Sequence, residues 1–153
     1  MSLNRRHFIS VFLAATTALL IPFHIIAAVI PWPRKAFSAT KIDDAYQRLF
    51  NSNSISINSK QIRLNLPKVS KTGHAVAVNI KSTLNEIESI SLFIKNNPKP
   101  LVATFQIPEG TIADISTHIR IHQTSTLIVV AKAAGELHSK SQNIRILSGG
   151  CGE

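Results

Sequence analysis

One atom in this chain stands out as a nucleophile. The only cysteine, Cys151, sits in the terminal stretch Ser148-Gly149-Gly150-Cys151-Gly152-Glu153. Gly149, Gly150 and Gly152 place nothing larger than hydrogen beside the sulfur and leave the backbone many φ/ψ states. Such a run predicts a thin, flexible arm over residues 148–153, holding its thiol in solvent beyond the folded body. Terminal residues that are not tied down are commonly dispensable, but a reactive sulfur at the tip argues for a task. The thiolate is the reactive form, and a neighbouring cation, helix N-terminus or metal is what lowers a thiol pKa from about 8.5. The tail supplies the opposite, because Glu153 and the terminal carboxylate lie within two residues of the sulfur and raise its pKa. Activation must then come from a partner, which suits a carrier that offers one sulfur to other enzymes' active sites.

No other constellation competes. His118 and His122 are four apart, but in a strand that spacing spans about 13 Å, too far for one ion, and a zinc site needs three or four converging ligands. His74 and His138 have no acidic or cysteine residue directly beside them in sequence. Glu86 and Glu88 read as a solvated face. Nothing matches a P-loop, a dinucleotide fingerprint or a nucleophile elbow. The expectation is therefore a scaffold with no metal, no cofactor and no active site of its own.

The elements that position the arm begin with a leader. Arg5 and Arg6, followed by Phe8 and an apolar run from Val11 to Ile30, resemble a twin-arginine export signal. The run also reaches the roughly 20 residues of a spanning helix, so a retained anchor is the competing reading, weakened by Pro22 and His24. Ala36-Phe37-Ser38 has the small-x-small arrangement a signal peptidase accepts. Cleavage after Ser38 or Ala39 is preferred, giving an export signal over 1–39, a periplasmic product and no stable membrane anchor. In an oxidising compartment a lone cysteine implies an intermolecular bond or a chemical job.

The formal charge is +9. Without Arg5, Arg6, Arg34 and Lys35 the domain keeps 13 basic and eight acidic residues, or +5, scattered along the sequence with no basic run to mark a nucleic-acid face. Residues 40–147 suit one domain able to bury a core unaided. Ile42, Ala45, Tyr46, Leu49 and Phe50 make one amphipathic helix. After Asn51-Ser52-Asn53-Ser54 the apolar period becomes two: Ile55/Ile57, Ile62/Leu64/Leu66, Val76/Val78/Ile80, Ile90/Leu92/Ile94, Leu101/Ala103/Phe105/Ile107 and Ile115/Thr117/Ile119/Ile121. Leu127–Ala131 is continuously apolar, as a central strand covered on both sides would be. Six or seven short strands separated by turns predict an immunoglobulin-like antiparallel β-sandwich with one short N-terminal helix.

The tail on an exported sandwich resembles the SoxY sulfur carriers of bacterial thiosulfate oxidation, whose members end in GGCGG. Asn96-Asn97-Pro98-Lys99-Pro100, Ala103-Thr104-Phe105 and Ile115-Ser116-Thr117-His118-Ile119-Arg120 are similar to family segments, and the likeness covers about residues 42–152. The resemblance implies that Cys151 carries the intermediates covalently. It implies a SoxZ-type subunit as heterodimer partner, a haem c enzyme that loads thiosulfate, a hydrolase that releases sulfate and a sulfane dehydrogenase. Glu153 stands where the family has glycine, which puts competence with every partner in question. Two alternatives stay open: an exported binding module whose cysteine forms an interchain disulfide, and a thiocarboxylate carrier of the ubiquitin-like kind, which fits poorly because this chain continues past Gly149-Gly150.

Overall fold

The protein is seen in a computed structural model that describes residues 32–52 and 59–147. Among the described residues, helix α1 (Arg34–Phe37) and helix α2 (Ile42–Phe50) precede eight strands. These are β1 (Ile62–Asn65), β2 (Val69–Ser70), β3 (Val76–Ser82), β4 (Ile87–Ile94), β5 (Leu101–Gln106), β6 (Asp114–Ile119), β7 (Ser125–Ala133) and β8 (Glu136–Ile146). They form a three-stranded sheet in the order β1-β3-β6 and a five-stranded sheet in the order β2-β8-β7-β4-β5. The architecture is the expected immunoglobulin-like sandwich, with one departure from purely antiparallel pairing. The two-residue β2, unforeseen because so short a strand has no period to read, runs parallel to β8. The expected strand residues Ile55 and Ile57 lie outside the described residues.

Alternation decides which side chains meet between the sheets. Ile62, Val76, Val78, Ile80 and Ile119 of the small sheet face Ile90, Leu92, Ile94, Leu127, Val129 and Ala131 of the large one in a single core. The large sheet is also covered behind. Phe93, Leu101, Val130 and Leu137 on its outer face pack with Ala36, Ala39 and Ala45, and with Ile42, Tyr46, Leu49 and Phe50. This second layer explains why Leu127–Ala131 is apolar without alternation and why Ser91, fully buried, bonds Thr104 through their hydroxyls at 2.9 Å.

Helix α2 forms where its apolar stripe predicts. Asp43 and Asp44 in its first turn and Arg48 in its last complement the helix dipole. Asn51, left-handed at φ 53°, ends it by donating its N–H to the Gln47 carbonyl. Helix α1 is an addition to the single expected helix. Ala36 and Ala39 are 1% and 3% exposed, Trp32 stacks on Phe37 at 4.7 Å, and an Arg48 Nη1 donates to the Lys35 carbonyl at 3.0 Å. The segment on which the cleavage expectation falls is thus part of the packed layer.

Tyr46, the only tyrosine, meets Phe93 edge-on with centroids 4.5 Å apart. Burial, reinforced by the Asp43 carboxylate, pushes its phenol up from 10.0 to about 12. Folding therefore favours the protonated phenol. The stability this contributes is complete below pH 10 and is lost as pH rises from 10 through 12. Because Tyr46 is only partly buried, the loss is expected to be about 1 kcal/mol rather than the full conversion of the shift. An absorbance titration should place phenolate formation near pH 12, and a midpoint at 10 would contradict the packing.

Candidate functional site

The site residues read from sequence are Cys151 with Gly149, Gly150 and Gly152, and they lie outside the described residues, as do Arg5, Arg6 and Phe8. What is described is the root from which the arm leaves. Strand β8 is antiparallel to β7 along its length, from Ala133 opposite Glu136 to Ser125 opposite Ile144. Its last residues are held on the other side too. Arg145 N–H donates to the Lys68 carbonyl and Leu147 N–H to the Ser70 carbonyl, both at 2.9 Å. Ile146 N–H donates to Thr124 Oγ1 at 3.1 Å, and the Thr124 hydroxyl donates to the Ile146 carbonyl at 3.4 Å. The backbone is therefore pinned up to Leu147, whose side chain is 43% exposed. Cys151 follows four residues later, so covalent geometry limits it to about 14 Å from Leu147. A fixed root and a short reach mean that any catalyst using the thiol must approach this end of the sandwich.

The surroundings of the root were not legible as a site in the sequence. Lys68 and Arg145 are joined through their backbones at the parallel β2–β8 pair, and Lys71 follows Ser70. Ile121 N–H donates to the Gly73 carbonyl at 2.8 Å, bringing Arg120 and His122 to the same end. Asn97 ties in the β4–β5 turn with Lys95 and Lys99, its Nδ2 donating to the Arg120 carbonyl and its Oδ1 accepting from His122 N–H, each at 3.0 Å. All six of these lysines and arginines are exposed. No acidic residue occurs in the segments 65–76, 94–101, 119–126 or 143–147 that make up this end.

The acids are elsewhere. Glu86, Glu88, Glu109, Asp114 and Glu136 occupy the connections β3–β4, β5–β6 and β7–β8 or their margins, at the far end. There Lys132 Nζ donates to Glu88 Oε2 at 2.6 Å and holds that carboxyl below its ordinary range, helped by the Gly135 N–H. Lys81 pairs with Asp114 at 2.8 Å. Asp43 and Asp44 ride on α2. In an antiparallel sandwich alternate connections return to the same end, so the charge of every second turn was the signal that a count of consecutive basic residues misses.

His118 lies on β6 opposite Ala77 and His122 beyond the strand, both exposed. Among the described residues no three His, Cys, Asp or Glu side chains are grouped to hold a metal ion. No helix of the described residues is long and apolar enough to cross a membrane.

Comparison with known proteins fits this frame. The family model described as "Sulfur oxidation protein SoxY" matches residues 46–151. Among solved structures, the sulfur carrier protein SoxY from Chlorobium limicola f thiosulfatophilum is 31% identical, with a TM-score of 0.64 over 76% of this chain and 100% of that one. A superoxide reductase (neelaredoxin) from Ignicoccus hospitalis is 12% identical, with a TM-score of 0.52 over 60% of this chain and 94% of that one, and shares the fold alone. No curated protein matches the chain.

Proposed function

The chain belongs to the SoxY family of sulfur oxidation proteins, and from that premise we propose that it is a covalent sulfur carrier whose cargo rides on Cys151. The observation that carries the reading is that the family match runs through the whole sandwich and ends on the only cysteine. The pinned root at Leu147 supports it, since a carrier needs a rigid body from which a short arm is presented. The chain supplies the thiol and its placement, and the chemistry belongs to partners.

In the proposed cycle the Cys151 sulfur joins the outer sulfur of thiosulfate. The thiol loses its proton and two electrons pass to a haem c enzyme, leaving a cysteine S-thiosulfonate. A hydrolase then adds water across the sulfur–sulfonate bond, releasing sulfate and a proton and leaving a persulfide. A sulfane dehydrogenase oxidises that remaining sulfur further. A SoxZ-type subunit completes the carrier as a heterodimer, and the twin-arginine leader delivers it to the periplasm. The chain itself is a carrier and not a catalyst.

The test is the mass of the terminal peptide of the protein as isolated, before and after reductant. Added sulfur or thiosulfonate on Cys151, removed by reductant, is the expected result. A peptide found only as a cysteine-linked dimer would replace the carrier with a disulfide-linked module.

A further inference from the structure

The fold sorts charge by end. Six exposed cations, Lys68, Lys71, Lys95, Lys99, Arg120 and Arg145, share the end from which the arm leaves, with no acidic residue in its segments, while five acids cluster at the other. We propose that the armed end is an anion-gathering surface: it draws small dianionic sulfur compounds to the thiol and holds negatively charged cargo near the root. This rests on the carrier reading only for the identity of the cargo.

Distances decide that the field reaches the sulfur. Cys151 stays within about 14 Å of Leu147, and Lys68 and Arg145 are bonded into the same β2–β8 pair as Leu147. The screening length is about 30 Å at 0.01 M salt, about 10 Å at 0.1 M and about 3 Å at 1 M. The thiol therefore lies inside the field at low salt and at its margin in physiological salt. The one acidic side chain near the sulfur in sequence, Glu153, opposes six cations. Like-signed surfaces of this kind raise the encounter rate of an oppositely charged ligand by about tenfold or more.

The protein alone suffices for the test. Second-order rates of Cys151 are measured with the dianionic disulfide dithiobis-nitrobenzoate and with neutral dithiodipyridine, in about 0.01 M and about 1 M salt. Their ratio cancels any change in the thiol's own nucleophilicity or exposure. The variant Lys68→Gln/Lys71→Gln/Arg145→Gln should lower the ratio about fivefold at low salt and leave it unchanged at high salt. Lys60→Gln/Arg63→Gln/Lys132→Gln removes the same net charge away from the arm and should lower it less than twofold. Equal ratios in the first variant and the wild type, or equal losses in both variants, would overturn the local surface. Either outcome leaves the carrier reading, tested by peptide mass, standing or falling separately.

A different observation carries a second inference, about where the leader ends. A protease needs an extended, accessible segment, and cleavage inside packed structure waits on local unfolding. Ala36 and Ala39 are buried against the outer face of the large sheet, and the compact unit containing the sandwich begins at Trp32. We infer that residues 32–39 stay with the mature domain and that the Ser38 and Ala39 bonds are not processed. Sequencing the N-terminus of exported protein should find it at or before Trp32. An N-terminus at Ala39 or Thr40 would overturn this.

Discussion

A Cys151→Ser chain should fold as the wild type does and carry no sulfur at all. Thiosulfate-dependent sulfate production in a system reconstituted with the partner enzymes should fall to the level found without the carrier. The effect is all or none because the proposed cargo bond is sulfur to sulfur. A serine hydroxyl is hardly ionised near neutral pH and cannot form that bond, whereas a thiolate is a strong nucleophile. Because the proposed carrier presents its thiol to other proteins, stability should change by less than about 0.5 kcal/mol, the range of exposed positions generally. The comparison therefore separates chemistry from folding. Undiminished sulfate production by the serine variant would end the carrier proposal and favour a module whose cysteine only links chains.

Much of the sandwich is written in the sequence as simple alternation. The β3 residues Val76, Val78 and Ile80 point inward as their period demands, and α2 buries the stripe that its spacing marks. The unbroken apolar run in β7 likewise announced a strand with cover on both faces, and that cover is α1 and α2. Local pattern fails where tertiary contact supplies the order. Strand β2 exists because β8 offers it hydrogen-bond partners. Helix α1 is four residues long, too short for a period to show, and it is ordered by Ala36 packing against the large sheet. The thiol was legible because a lone cysteine among glycines is rare, while the exposed cations at the end that holds Leu147 come from four separated segments that only the topology joins.

Replacing Gly73 by alanine should be among the most damaging single changes available in the described body. Gly73 lies between β2 and β3, and its carbonyl accepts the Ile121 N–H at 2.8 Å. A Cβ there would stand 1.8 Å from the Ile121 carbonyl oxygen and 3.0 Å from its carbon. Those atoms are backbone, so relief requires moving a segment whose Ile121 side chain is buried in the main core. The same new methyl would lie 3.7 Å from Ile146 Cγ2, an ordinary contact, so the strain falls on Ile121. Overpacking of this severity is expected to cost about 3 kcal/mol or more, lowering the melting temperature by about 10 °C or more. Gly135→Ala provides the contrast. Gly135 sits at φ 77° with nothing within 4 Å of its would-be Cβ, so alanine meets only the backbone cost of the left-handed region, about 1 kcal/mol. Urea unfolding of both variants decides between the two causes. A Gly73 variant no less stable than the Gly135 variant would mean that the Ile121 backbone yields freely and that the close approach of these two segments is not a constraint on the fold.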